Sequence, residues 1–596
     1  MAYAITQTCC QDATCVAVCP VNCIHPTPEE RAFGSTEMLH IDPRACIDCG
    51  ACADACPVDA ILPVPALPSS QREYAALNAA YYEPSSTESS PDAATTPTAE
   101  ATAETAETAE TAETAVPAET AAPGARTPEP APAADPSPNF HHWGAPRFDR
   151  VLPADFGPLR VAVVGTGPAG MYAAEDLLLH TNAEVTLIDR LPMAGGLVRY
   201  GVAPDHPSTK KVGESFARFH DHPRTRLRLG VEIGEDLSVE EVAAHHDAVV
   251  YAVGASDARS IGIPGEQLAG SVAATSLVSW YNAHPDAEPD AGAAVLAAER
   301  VVVVGNGNVA LDVARLLVAD PDALAATDIA GPALAALRNG RVREVVLLGR
   351  RGPEHAAYTA SELLALKHLP NVDLVVDDHD ARIGATIDGA APSDRAAVLA
   401  DVARERVDWS RAPGEGRRRI VLRFHSAPVA ALGEDAVRAV RATGAEAEVD
   451  LPAGALVRAV GYRGRPPAGL PFDEDSGTVP HEAGRVADRP GTYVVGWIKR
   501  GPSGGIGANR VCAAETIGTL LADAIAGRLP EPRGSARAFA RLVRRRARRT
   551  VNARGLAAIH RVELAAGARE GRSRVKLATV EALFAASRRG RLPLGR

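Results

Sequence analysis

The chain has 596 residues, 46 % of them hydrophobic, and a formal net charge of −12, enough for three or four domains at roughly 100–200 residues each. It has no run of about 18 apolar residues, which argues against a transmembrane helix. The start, MAYAITQTCC, has neither the basic nor the apolar region of a secretory signal, so a cytoplasmic protein is expected. The charge is uneven: residues 533–596 carry 18 Lys and Arg against 3 Asp and Glu, whereas residues 1–63 carry 8 acids and 2 bases. An acidic protein with a basic tail does not point to nucleic acid as a partner.

Nine of the ten cysteines fall in the first 56 residues, which in a chain without a signal peptide reads as metal or cluster binding. They form an internal repeat. Cys9, Asp12, Cys15 and Cys19-Pro20 recur as Cys46, Cys49, Cys52 and Cys56-Pro57, each 37 residues later. The second copy is a complete C-x2-C-x2-C-x3-C-P run, the iron–sulfur pattern in which the fourth Cys serves the other cluster. A zinc site would need only four ligands, so two interlocked sets favour iron–sulfur. The module resembles bacterial-type two-cluster ferredoxins, with an α+β fold. That resemblance implies one [4Fe–4S] cluster on Cys46, Cys49, Cys52 and Cys19, and a second cluster on Cys9, Cys15 and Cys56. In the first set Asp12 stands where a Cys is expected, so the second cluster is either [3Fe–4S], or [4Fe–4S] with Asp12 or water on the fourth iron. A carboxylate is the harder, looser ligand. Cys10 aligns with Ile47 and Cys23 with Ala60, so both are read as non-ligands.

A short helix is expected over REYAALNAAYY. Residues 84–140 are Ala, Thr, Glu and Pro of low complexity, unable to bury enough apolar surface to order themselves. As a coil they would form a tether on the order of 40 Å in span. Globular patterning then returns. LRVAVVGTGPAGMYAAEDLLL reads as strand, glycine turn and helix, with Gly165, Gly167 and Gly170 in G-x-G-x-x-G spacing and Asp189 ending the next strand. Glycines there allow a tight turn and close approach of a pyrophosphate to a helix N-terminus. The acid accepts hydrogen bonds from a ribose diol and repels a 2′-phosphate. ERVVVVGNGNVALDVARLLV repeats the pattern with Gly305, Gly307 and Ala310, but its following strand ends in Arg350-Arg351. Two guanidiniums suit a 2′-phosphate, so NADP rather than NAD is expected at this second site. The expected fold is α/β, with two Rossmann-like units: an FAD-binding domain over 155–255 and 455–530, and an NADP-binding domain over 256–454. A basic helical tail is expected over 531–596.

GGLVRYGVAPDH, VYAVGASDAR, WYNAHP, LLGRRGPEHAAYTASEL, GYRG and VVGWIKRGPSGGIG follow in order. With both glycine motifs they resemble the adrenodoxin-reductase-like ferredoxin–NADP⁺ reductases, in particular members fused to an N-terminal ferredoxin. The resemblance implies FAD contacts at Ala169, Asp189, Leu197, Ile233, Trp497, Gly504, Gly505 and Ile506. It implies NADP contacts at Arg259, Asn306, Gly307, Asn308, Val309, Arg350, Arg351 and Glu362. His206 and Glu362 are the candidate catalytic residues; the place one turn after Glu362, where relatives often carry a second acid, holds Ala365. The implied function is electron transport from NADPH through FAD and iron–sulfur to a ferredoxin or another one-electron acceptor such as a monooxygenase. Two rival readings are an electron-input small subunit of a glutamate-synthase-like complex and a non-enzymatic redox sensor. The opposite charges of tail and ferredoxin module suggest that the tail helps dock the attached module, or a separate acidic ferredoxin, against the reductase.

Neutralising Arg350 and Arg351 should raise KM for NADPH by about 10–100-fold, the worth of a charged phosphate contact. KM for NADH should change far less. Equal effects in steady-state assays with the two nucleotides would sink the assignment.

Overall fold

A computed structural model describes residues 2–83 and 152–588, apart from 29, 35, 154, 155, 393, 446 and 548. The expected tether, residues 84–140, lies outside the described residues.

In the N-terminal module the 37-residue repeat becomes a repeated conformation. Helices Thr14–Val18 and Ala51–Ala55 each start from a left-handed residue, Ala13 at φ 59° and Gly50 at φ 75°. Each ends on a Cys with extended backbone, Cys19 at ψ 115° and Cys56 at ψ 116°. The following prolines, Pro20 and Pro57, enforce this by disfavouring the helical region for the residue before them. Strands Tyr3–Ile5 and Ile61–Pro63 pair antiparallel and close the module on itself. The expected short helix is Glu73–Ala80. Its Asn78 amide accepts from the Ile5 and Ile41 N–H groups at 3.1 and 2.9 Å and donates to the Ile5 carbonyl at 2.8 Å.

Two seven-stranded sheets follow. In the first, parallel strands Thr225–Leu229, Glu184–Asp189, Arg160–Val164, Ala248–Tyr251 and Thr492–Val494 lie side by side, extended by two short antiparallel strands. In the second, seven parallel strands place Arg300–Val304 between Glu344–Leu348 and Ala455–Arg458. The central strands RVAVV and RVVVV are buried on both faces, which is why they read as unbroken apolar runs rather than alternating ones. The chain passes between the sheets at a two-stranded ribbon, Asp257–Ala258 with Tyr462–Arg463.

The C-terminal segment departs from the expected docking tail. It is helical, at Ala536–Arg546, Ala553–Glu570 and Val580–Arg588, and it is packed on the two-sheet body. Phe539, Val543, Val551, Leu556, Ile559 and Phe584 are buried in the cores of the first sheet. Val551 exchanges backbone hydrogen bonds with Leu229, the end of that sheet's edge strand, at 2.9 Å each. Fully buried Glu563 accepts from Arg199 Nη2 at 2.6 Å, Arg574 Nη1 at 3.0 Å and the Leu577 N–H at 2.9 Å. Lys576 bonds Asn282 at 3.0 Å and Asp328 at 2.9 Å, and Lys210 reaches the same Asp328 at 2.6 Å. The arginines of the sequence pattern thus lie on helices whose other faces are apolar and covered.

Glu563→Ala should strip Arg199 of its buried counter-charge. Removing one partner of a buried pair destabilises by about 3–5 kcal/mol, readable as a lowered midpoint in chemical denaturation. A change within experimental error would show that the segment is not integral to the fold.

Candidate active site between the two nucleotide turns

Both glycine turns stand where the neighbours of a central parallel strand diverge, the position at which such sheets bind ligands. At the first, Gly165 has φ +111°, and a Cβ there would come 2.3 Å from the Ala252 carbonyl oxygen. A Cβ on Gly170 would come 2.0 Å from the Gly165 carbonyl oxygen. Gly167 caps helix Pro168–His180, and a Cβ there would meet nothing closer than 3.8 Å, so this point is open to a ligand. The carboxylate of Asp189 accepts from the Thr166 N–H at 2.8 Å, the Thr166 hydroxyl at 2.6 Å and the Leu191 N–H at 3.0 Å. It therefore ties the turn to the end of the second strand. The turn, its open helix end and the acid fit the dinucleotide of FAD. Ala169 is buried beneath Gly496, Ile233 is buried, and Leu197 is 37 % exposed at the cleft side of helix Gly196–Tyr200. Trp497 packs on Tyr462 at 5.3 Å between ring centres and donates to the Ser503 carbonyl at 3.1 Å, anchoring the loop that holds Gly504, Gly505 and Ile506.

At the second turn Gly305 has φ +115°, and Gly307 caps helix Asn308–Val318. Asn306 and Asn308 accept from the Ala357 and Thr359 N–H groups at 3.2 and 2.9 Å, so the turn is braced against the loop after Arg351. Val309 packs against the core of this sheet. Arg350 and Arg351 follow strand Glu344–Leu348, are exposed, and have no side-chain partner among the described residues, as a phosphate-binding pair requires. Arg259 sits on the ribbon between the sheets, its Nε donating to the Tyr462 carbonyl at 2.9 Å.

Between the turns lies a cluster of titratable groups that the sequence reading found only in part. His206 caps helix Pro207–Lys210, and Glu362 is in the first turn of helix Ala360–Lys367. His206 Nε2 and Glu362 Oε2 are 3.9 Å apart. The second acid is Asp312, not a residue near Ala365. Ligand-type atoms of His206, Asp312 and Glu362 all lie within 4.8 Å of one another. Buried Arg315 supplies the cation they share, bonding Asp205 at 2.7 and 3.0 Å and Asp312 at 2.7 Å and standing 3.6 Å from Glu362. The missed signal was an acid and a base three residues apart, Asp312 and Arg315, inside the otherwise apolar helix VALDVARLLV. Burial pushes the Glu362 carboxyl up; His206, Arg315 and the Gln7 amide pull against it, and Asp312 adds to it. Burial would also raise Asp205, but the Arg315 guanidinium outweighs it and holds that carboxyl at about 2.

The cysteines gather in two groups. Cys19, Cys46, Cys49 and Cys52 line one cavity with Cys23, Tyr3 and Ile41. Cys23 Sγ lies 3.5 Å from Cys19 Sγ, in the wall. In the other group Cys9, Cys10, Cys15, Cys56 and Asp12 perturb one another: burial pushes Cys9 up to about 11 and also raises Cys10 and Cys15, with the neighbouring charges adding to it. Asp12 accepts a bond from the Thr14 hydroxyl, and burial raises its carboxyl. None of these cysteines is disulfide-bonded. Four thiols around one cavity, and four thiols with a carboxyl in a second group, of which the repeat assigns Cys9, Cys15 and Cys56, fit iron–sulfur ligation. Cys512, outside both groups, is buried and accepts from the Gly496 N–H at 3.2 Å.

The module sits on the cleft. Asp59 pairs with Lys211, Glu37 with Arg395 at 2.7 Å, and Glu73 with Lys367 at 3.0 Å. Tyr74 donates to the Ser361 carbonyl at 2.7 Å. Among the described residues, these basic partners of the acidic module belong to the two-sheet body.

Residues 159–328 match the pyridine nucleotide-disulphide oxidoreductase family, and residues 39–62 match the 4Fe-4S binding domain. A probable ferredoxin/ferredoxin–NADP reductase of Mycobacterium tuberculosis is 42 % identical, over 98 % of this chain and 95 % of its own length. The chain belongs to the adrenodoxin-reductase-like ferredoxin–NADP reductases. The mitochondrial NADPH:adrenodoxin oxidoreductase of Arabidopsis thaliana is 36 % identical over 72 % of this chain and 95 % of its own. The structure of Mycobacterium tuberculosis FprA in complex with NADPH superposes with a TM-score of 0.65 at 39 % identity, covering 72 % of this chain and all of that one. The pyridine nucleotide-disulphide oxidoreductase match carries FAD and NADP binding, and the 4Fe-4S binding domain match carries an iron–sulfur cluster. No helix among the described residues is long and apolar enough to cross a membrane.

The raised Glu362 carboxyl should give nucleotide binding a pH-dependent limb above the ordinary carboxylate range. Binding titrations across the acid-to-neutral range should show that limb in the natural protein and lose it in Glu362→Gln. Its persistence in the variant would assign it elsewhere.

Proposed function

We propose that this ferredoxin–NADP⁺ reductase carries electrons between NADPH and two iron–sulfur clusters of its own N-terminal module. From there they pass to a separate ferredoxin or another one-electron acceptor such as a monooxygenase. The observation that supports it is the seating of the module: residues Gln7 to Asp12 lie between His206 and Glu362 on one side and Gly507 and Arg510 on the other. The bound cofactors would supply the chemistry, hydride exchange at nicotinamide and flavin and single-electron transfer at iron–sulfur.

The protein's own residues bind and orient. Gly165, Gly167, Gly170 and Asp189 would hold the FAD dinucleotide, with Ala169, Leu197, Ile233, Trp497, Gly504, Gly505 and Ile506 around the rest of it. Asn306 to Val309 would receive the NADP pyrophosphate at a helix N-terminus, Arg350 and Arg351 its 2′-phosphate, and Arg259 the chain between. His206 and Glu362 would face the nicotinamide end, with Asp312 and Arg315 setting the charge around them. Cys19, Cys46, Cys49 and Cys52 would ligate a [4Fe–4S] cluster. Cys9, Cys15 and Cys56, with Asp12 beside them, would ligate a [3Fe–4S] or a [4Fe–4S] cluster. The near full-length likeness to a chain named for both ferredoxin and reductase supports neither the glutamate-synthase-like reading nor the sensor.

Anaerobic titration of the purified holoprotein with NADPH, following flavin absorbance and cluster EPR together, should show flavin bleaching and the reduction of both clusters. Flavin bleaching with silent clusters would overturn the proposed route. Asp12→Cys should replace the signal of an incomplete cluster by that of an all-thiolate one; eight irons and an unchanged spectrum in both proteins would remove Asp12 from the site.

A further inference from the structure

One loop of the N-terminal module crosses the cleft between the nucleotide turns. At its start Gln7 Nε2 lies 2.8 Å from Glu362 Oε2 and 3.1 Å from His206 Nε2. At its end the Gln11 carbonyl lies so close to Gly507 that a Cβ there would be 2.0 Å from its oxygen. Arg510 Nη1 donates to the Asp12 carbonyl at 3.2 Å. A Cβ on Gly505 would come 3.9 Å from Gln11 Oε1, so the loop also covers the glycine turn expected beside the flavin.

The donors at Gln7 are set by chemistry. A carboxylate accepts and never donates, so the Gln7 atom facing Glu362 is the amino group. That group has two hydrogens. One serves Glu362; the other is directed to His206 Nε2, which then accepts and carries its ring proton on Nδ1. The acceptors of the cleft are thus taken by a primary carboxamide. Nicotinamide carries the same group, a primary carboxamide, at the end that must enter this cleft. This step rests on the reading that His206 and Glu362 face the nicotinamide.

We propose that Gln7 is a built-in surrogate for the nicotinamide carboxamide, so that seating of the N-terminal module and full seating of NADP(H) exclude each other at this cleft. Hydride exchange then belongs to the state with the module withdrawn, and single-electron transfer to the state with the module seated. The ion pairs that hold the module at the rim differ in exposure: Glu37 and Arg395 are 24 % and 35 % exposed and Lys367 is 9 % exposed, whereas one pair is open to solvent. In Asp59–Lys211 the side chains are 61 % and 46 % exposed, and pairs of this kind are individually weak. The coupling is reciprocal: whatever the module does to NADP⁺ affinity, NADP⁺ does to module docking.

The test is NADP⁺ binding to the oxidised, full-length holoprotein, read by calorimetry and by the flavin difference spectrum. Gln7→Ala, which leaves the rim contacts in place, should bind NADP⁺ tighter by about tenfold, the scale of losing a competing charged hydrogen bond. Lys211→Glu, which loosens the module without touching His206 or Glu362, should also bind it tighter. In the natural protein NADP⁺ should raise the radius of gyration measured by small-angle scattering. Unchanged or weaker NADP⁺ binding in Gln7→Ala overturns the proposal, as does an unchanged radius of gyration on saturation. Failure of the natural protein to bind NADP⁺ at all would instead overturn the nucleotide assignment on which the proposal rests.

Discussion

The Arg315 guanidinium lies inside the protein, bonded to Asp205 from the loop after the first glycine unit and to Asp312 on its own helix, and facing Glu362 from a third element. A buried cation is tolerated only with partners, and buried carboxylates are tolerated only with a cation. Each element therefore needs the others in place. Because Asp205 precedes His206, the same bond that pairs the charges also sets where the histidine stands. Three elements that border the cleft are thus tied to one guanidinium.

The chain termini are built onto that frame by different means. The C-terminal segment is bound by burial: apolar faces of three helices close over the first sheet. Glu563 and Lys576 link Arg199, Lys210, Asn282 and Asp328 in a network that touches both sheets. Taking such a segment away would expose core and strand charges. The N-terminal module is held by ion pairs of mixed exposure, by the buried Tyr74–Ser361 hydrogen bond, and by apolar residues such as Ile5, Cys10 and Ala13 that share one hydrophobic cluster with the first sheet. The C-terminal segment thus adds a strand-end pairing and a buried charge network, and the N-terminal module adds polar contacts across the cleft.

Much of this was legible in the residues. The 37-residue cysteine repeat carried through to matching backbone angles at Cys19 and Cys56, because proline after each imposes the same extended conformation. Both glycine turns appear where strand, turn and helix were expected, because positive φ and backbone approaches near 2 Å leave no room for a side chain. The exposed Arg350-Arg351 pair also stands where the strand pattern put it. The tail's charge is plain in the sequence, whereas the apolar face formed by Phe539, Leu542, Val543 and Phe584, which packs it on the body, shows only in the fold.

Local sequence determined whatever a few neighbouring residues decide together: the cluster-binding repeat, the two dinucleotide turns, the class of nucleotide expected at each from the residue ending the next strand, and the membership of a family. Tertiary structure alone decided which distant residues meet. Asp312, Arg315 and Asp205 become one charge cluster, Gln7 arrives 2.8 Å from Glu362 across 355 positions of chain, and the acidic module finds Lys211, Lys367 and Arg395 on the two-sheet body. The reason is that charge pairing and hydrogen bonding depend on separation in space. Sequence spacing reports that separation only within a turn or a helix, never between sheets.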